Sequence, residues 1–266
     1  MIIKGDNSYI PGLINLWSEV FGDELSYIDI FFRKQYERCE TFCKVCDGEI
    51  ISAFYLLPCY LDYSGETYVG RYLYAAATKK EYRGRGIMNS LIKEAADYCA
   101  QRNVDFISLL PADEGLYGFY AKFGFYTAMY RYKISIEYDK CNTPILVSSD
   151  KYNIDNIVKS RKEIKGNKIL FSREELEYII TSMSCYNSKI FCDNNELIIY
   201  NEDERVVEEF IGEYSEFKHF KGFDTVYSAV PIEEIGINKK EKYGMIYPIN
   251  DKLGCCSDIY MNLALD

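Results

Sequence analysis

Residues 72–95 read YLYAAATKKEYRGRGIMNSLIKEA, and this stretch decides the fold. An aromatic and small-residue strand ending at Thr78 gives way to the polar run KKEYRGRG. A helix then opens at Ile87, with Ile87, Leu91, Ala95 and Tyr98 on one face. A glycine turn entering a helix N-terminus places unpaired backbone N–H groups and the positive end of the helix dipole where an anion can reach them. Gly84 and Gly86 allow close backbone approach, and Lys79, Lys80, Arg83 and Arg85 outweigh Glu81 in charge. The ligand this predicts is a phosphate ester. Two familiar phosphate motifs are excluded. A Walker A loop needs Lys-Ser or Lys-Thr after its last glycine, and Ile87-Met88 follows here. A dinucleotide fingerprint needs a small residue where Asn89 stands.

Around this segment, residues 1–140 alternate strands and helices. After a short strand at Ile2-Ile3, PGLINLWSEVF and LSYIDIFFRKQY are amphipathic helices. TFCKVC, Asp47-Gly48 and EIISAFYLL read as strand, type I′ turn, strand. DFISLLPA is a short buried strand, EGLYGFYAKFG a brief helix stopped at Gly124, and FYTAMYRYKISIEY a long strand. CNTPILVSSD reads as a linker, which predicts a boundary near 140 and a second domain over 141–266. That second part predicts a helix in SREELEYIITSM, strands in SKIFCDNNELIIYNEDERVVEEFIGE, and late strands around TVYSAV, YGMIYPI and IYMNLAL. It offers no glycine loop opening a helix.

The 266 residues carry 31 basic and 41 acidic side chains, a net charge of −10 that argues against a nucleic-acid-tracking surface and favours a cationic partner. The deficit is concentrated in residues 142–266, with 15 basic and 22 acidic side chains. No apolar run approaches the roughly 20 residues of a membrane span, and the first residues lack the apolar core of a signal peptide, so a cytoplasmic chain is expected. Ten cysteines include a C-x3-C-x2-C spacing at Cys39, Cys43 and Cys46, but residues three apart on a strand face opposite ways, so reduced thiols and no metal are expected. The single histidine, His219, sits in the polar EFKHFKG and is read as a solvated loop residue.

ATKKEYRGRGIMNSLIKEA, followed by a strand and LYGFYAKFGF, resembles the GCN5-related N-acetyltransferase (GNAT) superfamily over roughly residues 1–140. The acetyl-CoA loop pattern of that family falls on Glu81, Gly84 and Gly86, with Glu81 departing from the usual Gln or Arg. Within the superfamily, PADEGLYGFYAKFGF resembles the Eis-like branch, whose members append a second GNAT-like domain; their further sterol-carrier-like domain has no room in this chain. The resemblance implies an α/β fold with a mixed sheet splayed between its fourth and fifth strands, followed by a degenerate GNAT-like domain. It implies acetyl-CoA as co-substrate, held by Ala76, Ala77, Thr78, Arg83, Gly84, Arg85, Gly86, Ile87 and Met88. Tyr120, in the Y-x-x-x-G-F pattern with Gly124 and Phe125, would serve the leaving thiolate. The implied acceptor is a primary amine on a small cationic or lysine-like molecule. Asp23, Glu24, Asp29, Glu66 and Asp266 remain open as general bases. The alternative reading is a non-catalytic CoA-binding scaffold whose second domain binds a partner.

Overall fold

The structure is a computed structural model that describes residues 2–3, 6–136, 152–193, 196–212 and 223–262. Its described strands join one mixed sheet. The first half contributes β1 (Ile2–Ile3), α1 (Ile10–Phe21), α2 (Leu25–Lys34), β2 (Glu40–Cys46), β3 (Glu49–Tyr63), β4 (Glu66–Thr78), α3 (Ile87–Ala100), β5 (Phe106–Leu109), α4 (Glu114–Ala121) and β6 (Tyr126–Ile136). After residue 151 come α5 (Ile154–Glu163), β7 (Lys168–Leu170), α6 (Arg173–Met183), β8 (Ser188–Asp193), β9 (Glu196–Asn201), β10 (Val206–Ile211), β11 (Thr225–Ser228) and β12 (Gly236–Pro248).

Alternation along the strands sorts the core into two layers. Tyr55, Leu57, Tyr72 and Tyr74 face α1, α2 and α6, where Trp17 lies 5.1 Å from Phe31 and 5.4 Å from Tyr74 between ring centroids. Phe54, Leu56 and Leu73 face the other way, onto Leu91, Ile92, Ala95 and Cys99 of α3 and Tyr120 of α4. The expected hairpin forms at Asp47-Gly48, both with positive φ (50° and 83°), as a type I′ turn requires. Cys43 is buried and Cys46 is partly exposed; the described cysteines are all free thiols.

The second half repeats the first in outline. β8, β9 and β10 run antiparallel and β10 then pairs in parallel with β11, as β2, β3 and β4 lead to the parallel β4–β5 pair. The halves exchange their last strands: β12 lies between β5 and β6, and β6 pairs with β11. Strand pairing therefore does not divide at residue 140, because β12 completes the sheet that begins in the first half. Composition marks a linker but carries no information on which sheet a later strand enters. Of the expected strand IYMNLAL, the described residues 259–262 make only single bridges, Ile259 to Met129 and Tyr260 to Lys168, and the remainder lies outside the described residues. Two elements beyond the linker, α5 and β7, had no counterpart in the sequence reading. α5 turns only Ile157, Ser160 and Arg161 fully inward, a stripe too polar for a periodicity argument. Arg161 is buried because Glu209 meets it at 2.6 Å, and Tyr260 donates to Glu209 at 3.1 Å.

Candidate active site

The site begins with a defect in β4. Tyr74 pairs with Tyr55 and Ala77 with Ala53, so Ala75 and Ala76 stand opposite Phe54 alone, and Ala75 takes φ 49°. On its other edge β4 pairs with β5 only from Gly70 to Tyr72. From Leu73 onward the two strands part, and the β4 edge faces a cleft. This is the splay the sequence reading expected; the bulge was not anticipated, since its only trace is a run of alanines.

The cleft holds about 620 Å³ and is lined by Ala76 and Thr78 of β4, Arg83, Gly84, Gly86, Ile87 and Met88 of the glycine turn, and Tyr120 of α4. Gly84 and Gly86 have φ of 73° and 75°, and Gly86 caps α3 with no side chain bonded to the helix's first N–H groups. A Cβ on either glycine would meet nothing within 4 Å. The backbone conformation, not crowding within the protein, is what asks for glycine here.

Two expected cofactor residues, Ala77 and Arg85, and Lys79 of the cationic run turn their side chains elsewhere. Ala77 is 3% exposed in the core between the sheet and α1, with its carbonyl accepting from Ser52 Oγ at 2.9 Å. Arg85 donates to the Glu81 carbonyl at 2.8 Å and lies 5.1 Å from the Tyr82 ring centroid. Lys79 is removed from the cationic cluster by Glu19 at 2.9 Å and Glu49 at 2.6 Å, carboxylates brought to it from α1 and β3. Arg83 stays in the cleft, its Nε donating to the Thr78 carbonyl at 2.9 Å.

Tyr120 sits where the cleft narrows into an inner pocket of about 130 Å³ lined by Trp17, Asp23, Tyr72, Tyr74, Ala75 and Leu110. Its ring packs edge-on against Phe125 (5.7 Å) and Phe119 (5.2 Å). Its hydroxyl has no hydrogen-bond partner among the described residues. Burial alone pushes its pKa up to about 12, so it is a proton carrier rather than a phenolate at neutral pH.

Asp23 follows Gly22, whose left-handed turn (φ 74°) ends α1, and its Oδ2 accepts from Trp17 Nε1 at 2.7 Å. Of the acidic candidates, it is the one that reaches the inner pocket. Asp29 is paired with Arg33 on the exposed face of α2, and Glu66 lies at the far end of β4, roughly 30 Å along the strand from Ala76. Glu24 lines neither space. Asp266 and His219 fall outside the described residues. No group of His, Cys, Asp and Glu suited to a metal occurs among the described residues, and no described helix is long and apolar enough to cross a membrane.

The Acetyltransferase (GNAT) domain family matches residues 2–128. No curated protein matches the chain by sequence. Among solved structures, a conserved protein of unknown function from Enterococcus faecalis V583 aligns with a TM-score of 0.76 at 15% identity, covering 94% of this chain and 72% of its own. A GCN5-related N-acetyltransferase from Kribbella flavida gives 0.69 at 12% identity over 94% and 72%. Eis1 from Mycobacterium abscessus gives 0.69 at 10% identity over 95% and 75%. These likenesses concern the fold and extend beyond the matched domain into the second half. The splayed β4, the glycine turn at α3 and the family match agree on residues 2–128, which carry a GNAT acetyltransferase domain.

Proposed function

We propose that this chain transfers the acetyl group of acetyl-CoA to a primary amine. The observation that carries the proposal is the continuity of the cleft. The glycine turn, the unpaired edge of β4, the Tyr120 hydroxyl and the Asp23 pocket lie along one path, since Phe21, Ala76, Leu116 and Tyr120 line both its outer and inner parts. In this reading the backbone N–H groups of residues 84–88 hold the pyrophosphate. The pantetheine arm lies along Ala76–Thr78 as an added strand, and Arg83 supplies charge beside it. Ala77 and Arg85 contribute backbone and electrostatic field rather than side-chain contacts.

The bulge at Ala75 and Ala76 turns backbone toward the thioester carbonyl and offers donors to the oxyanion. Asp23, anchored by Trp17, attracts the acceptor in its ammonium form. That group gives up a proton to solvent, the neutral amine forms the C–N bond as the C–S bond breaks, and the second nitrogen proton passes through water to the CoA thiolate. Tyr120 donates a hydrogen bond to the departing sulfur. With its pKa near 12, full proton transfer to a thiolate of ordinary basicity is uphill by roughly 5 kcal/mol, so hydrogen bonding carries the assistance. The second half is proposed as a degenerate GNAT-like unit. The connection from β10 to β11 (residues 212–224) is about half as long as the one from β4 to β5 (residues 79–105) that carries the glycine turn and α3.

The test is turnover of acetyl-CoA with a panel of amines, read by chromatography. Tyr120→Phe should retain acetyl-CoA binding while kcat falls on the order of 10²-fold. Tyr117→Phe should leave kcat unchanged, because Tyr117 lines neither part of the path and its ring lies toward Lys242. Equal rates for Tyr120→Phe and the parent, with chemistry rate-limiting, would remove the hydroxyl from the mechanism and favour a CoA-binding scaffold.

A further inference from the structure

A second cavity, of about 440 Å³, lies beyond the inner pocket and is built mainly by the other half of the chain. Ser188, Asn201, Glu208 and Tyr227 line it from the second-half strands, Arg131 and Tyr243 from β6 and β12, and Tyr27 and Tyr186 from the side of the acceptor pocket. The Arg131 guanidinium is held between two rings, 3.7 Å from the Tyr227 centroid and 4.0 Å from that of Tyr243. Such a sandwich fixes the plane of the fork and strips water from its faces. Arg131 makes no hydrogen bond or ion pair among the described residues, and its Nε is buried without an acceptor. Glu241, opposite it on β12, is engaged by Lys239 at 3.0 Å. Glu204 and Glu208 share the cavity wall but neither pairs directly with Arg131, and an oriented, partly desolvated guanidinium with an unfilled donor is costly unless a ligand accepts from it.

We infer that this cavity is a recognition site for a small organic monocarboxylate, with Arg131 as its anchor. A carboxylate matches the guanidinium fork with two parallel hydrogen bonds. Glu204 and Glu208 in the wall disfavour a multiply charged anion such as a phosphate ester, and Glu208 is itself in use, accepting from Ser188 Oγ at 2.9 Å. The rings of Tyr27, Tyr186, Tyr227 and Tyr243 suit the uncharged body of such an acid.

The cavity stands next to the acceptor pocket. Tyr27 lines it, and the Tyr27 hydroxyl bonds that of Tyr74 at 2.7 Å, which lines the inner pocket with Asp23. Tyr186 extends this wall, its ring 5.3 Å from that of Tyr27. The carboxylate therefore comes either from the far end of the amine acceptor or from a separate acid. The first source rests on the acetyl-transfer reading above, and the second does not.

Calorimetric titration of the full chain with benzoate, hippurate and N-acetylphenylalanine, each beside its neutral amide, tests the site directly. At least one acid should bind saturably below about 10 mM, its amide should not, and Arg131→Gln should weaken the acid at least about 10-fold. Arg131→Lys, which keeps the charge but loses the fork, should fall between. Circular dichroism checks that both variants fold, and the acid–amide contrast in the parent chain needs no variant. Absence of saturable binding by all three acids, equal binding of acid and amide, or undiminished binding by folded Arg131→Gln would overturn the inference. An acid that competes with the amine during turnover assigns the carboxylate to the acceptor; one that binds without competing assigns it to a separate ligand. If no amine is acetylated, the catalytic reading fails while the titration still reads the site.

Discussion

Gly86 enters α3 with φ 75° and open space where a side chain would stand, so two separate demands on it can be taken apart. Asparagine and aspartate both tolerate the left-handed conformation and have nearly the same shape. Gly86→Asn should keep the fold and retain part of the rise in melting temperature caused by acetyl-CoA. Gly86→Asp, which adds a negative charge where the pyrophosphate is proposed to lie, should abolish that rise. Equal shifts in the two variants would place the anion elsewhere. At this scale much was legible. Gly84, Gly86 and Arg83 line the cleft that the glycine turn suggested, and Thr78 and Tyr120, which the family resemblance pointed to, line it too. Lys79 is drawn out of the cationic run because its partners come from other elements, Glu19 and Glu49, and the pleat turns the Ala77 side chain inward, leaving its backbone as the part proposed to meet the cofactor.

Among the elements, the parting of β4 from β5 depends on a close approach just before it. A Cβ on Gly70 would fall 2.1–2.5 Å from atoms of the Phe106 ring, and Gly70 and Phe106 are paired neighbours across the two strands. The last shared stretch of the splayed sheet is thus packed ring against backbone. Gly70→Ala should destabilise the fold by about 1–3 kcal/mol, as overpacking of a filled core does. The measurement is the urea midpoint of folded protein; an unchanged midpoint would show that Phe106 moves aside freely. Sequence periodicity located both strands, yet neither the ring over Gly70 nor the bulge at Ala75 has a periodic signature. Both are set by what lies across the sheet.

Across the whole molecule, tyrosines fill much of the core, and their burial sets an alkaline limit. Tyr55, Tyr74, Tyr178 and Tyr260 have pKa values raised well above 10 by desolvation, and burial pushes Tyr36 and Tyr120 up to about 12. In the unfolded chain each titrates near 10. The folded state keeps these protons after the unfolded state has lost them, so the stability they give is intact below about pH 10 and is lost as pH rises toward the folded values. Each such tyrosine adds about 1.4 kcal/mol of loss per pH unit in that window. Urea midpoints should be level from neutral pH to about pH 10 and then drop, with phenolate absorbance appearing on unfolding. Phenolate absorbance appearing fully at about pH 10 while the protein stays folded would contradict this assignment.

The local motifs were determined by sequence alone because each is a short-range matter. A glycine turn opens a helix through its own dihedrals, an Asp-Gly pair closes a hairpin, and an apolar stripe of period 3.6 announces α1, α2 and α3. The tertiary structure alone decided which strands share an edge. β12 enters between β5 and β6 although more than a hundred residues of chain separate it from β5, and that pairing is selected by the fit of Met245 and Tyr247 into the core around Tyr120 and Phe125. The same long-range assembly sets Arg131 between Tyr227 and Tyr243. Contacts between residues far apart in sequence leave no periodic trace, because their energy is realised only when the layers close.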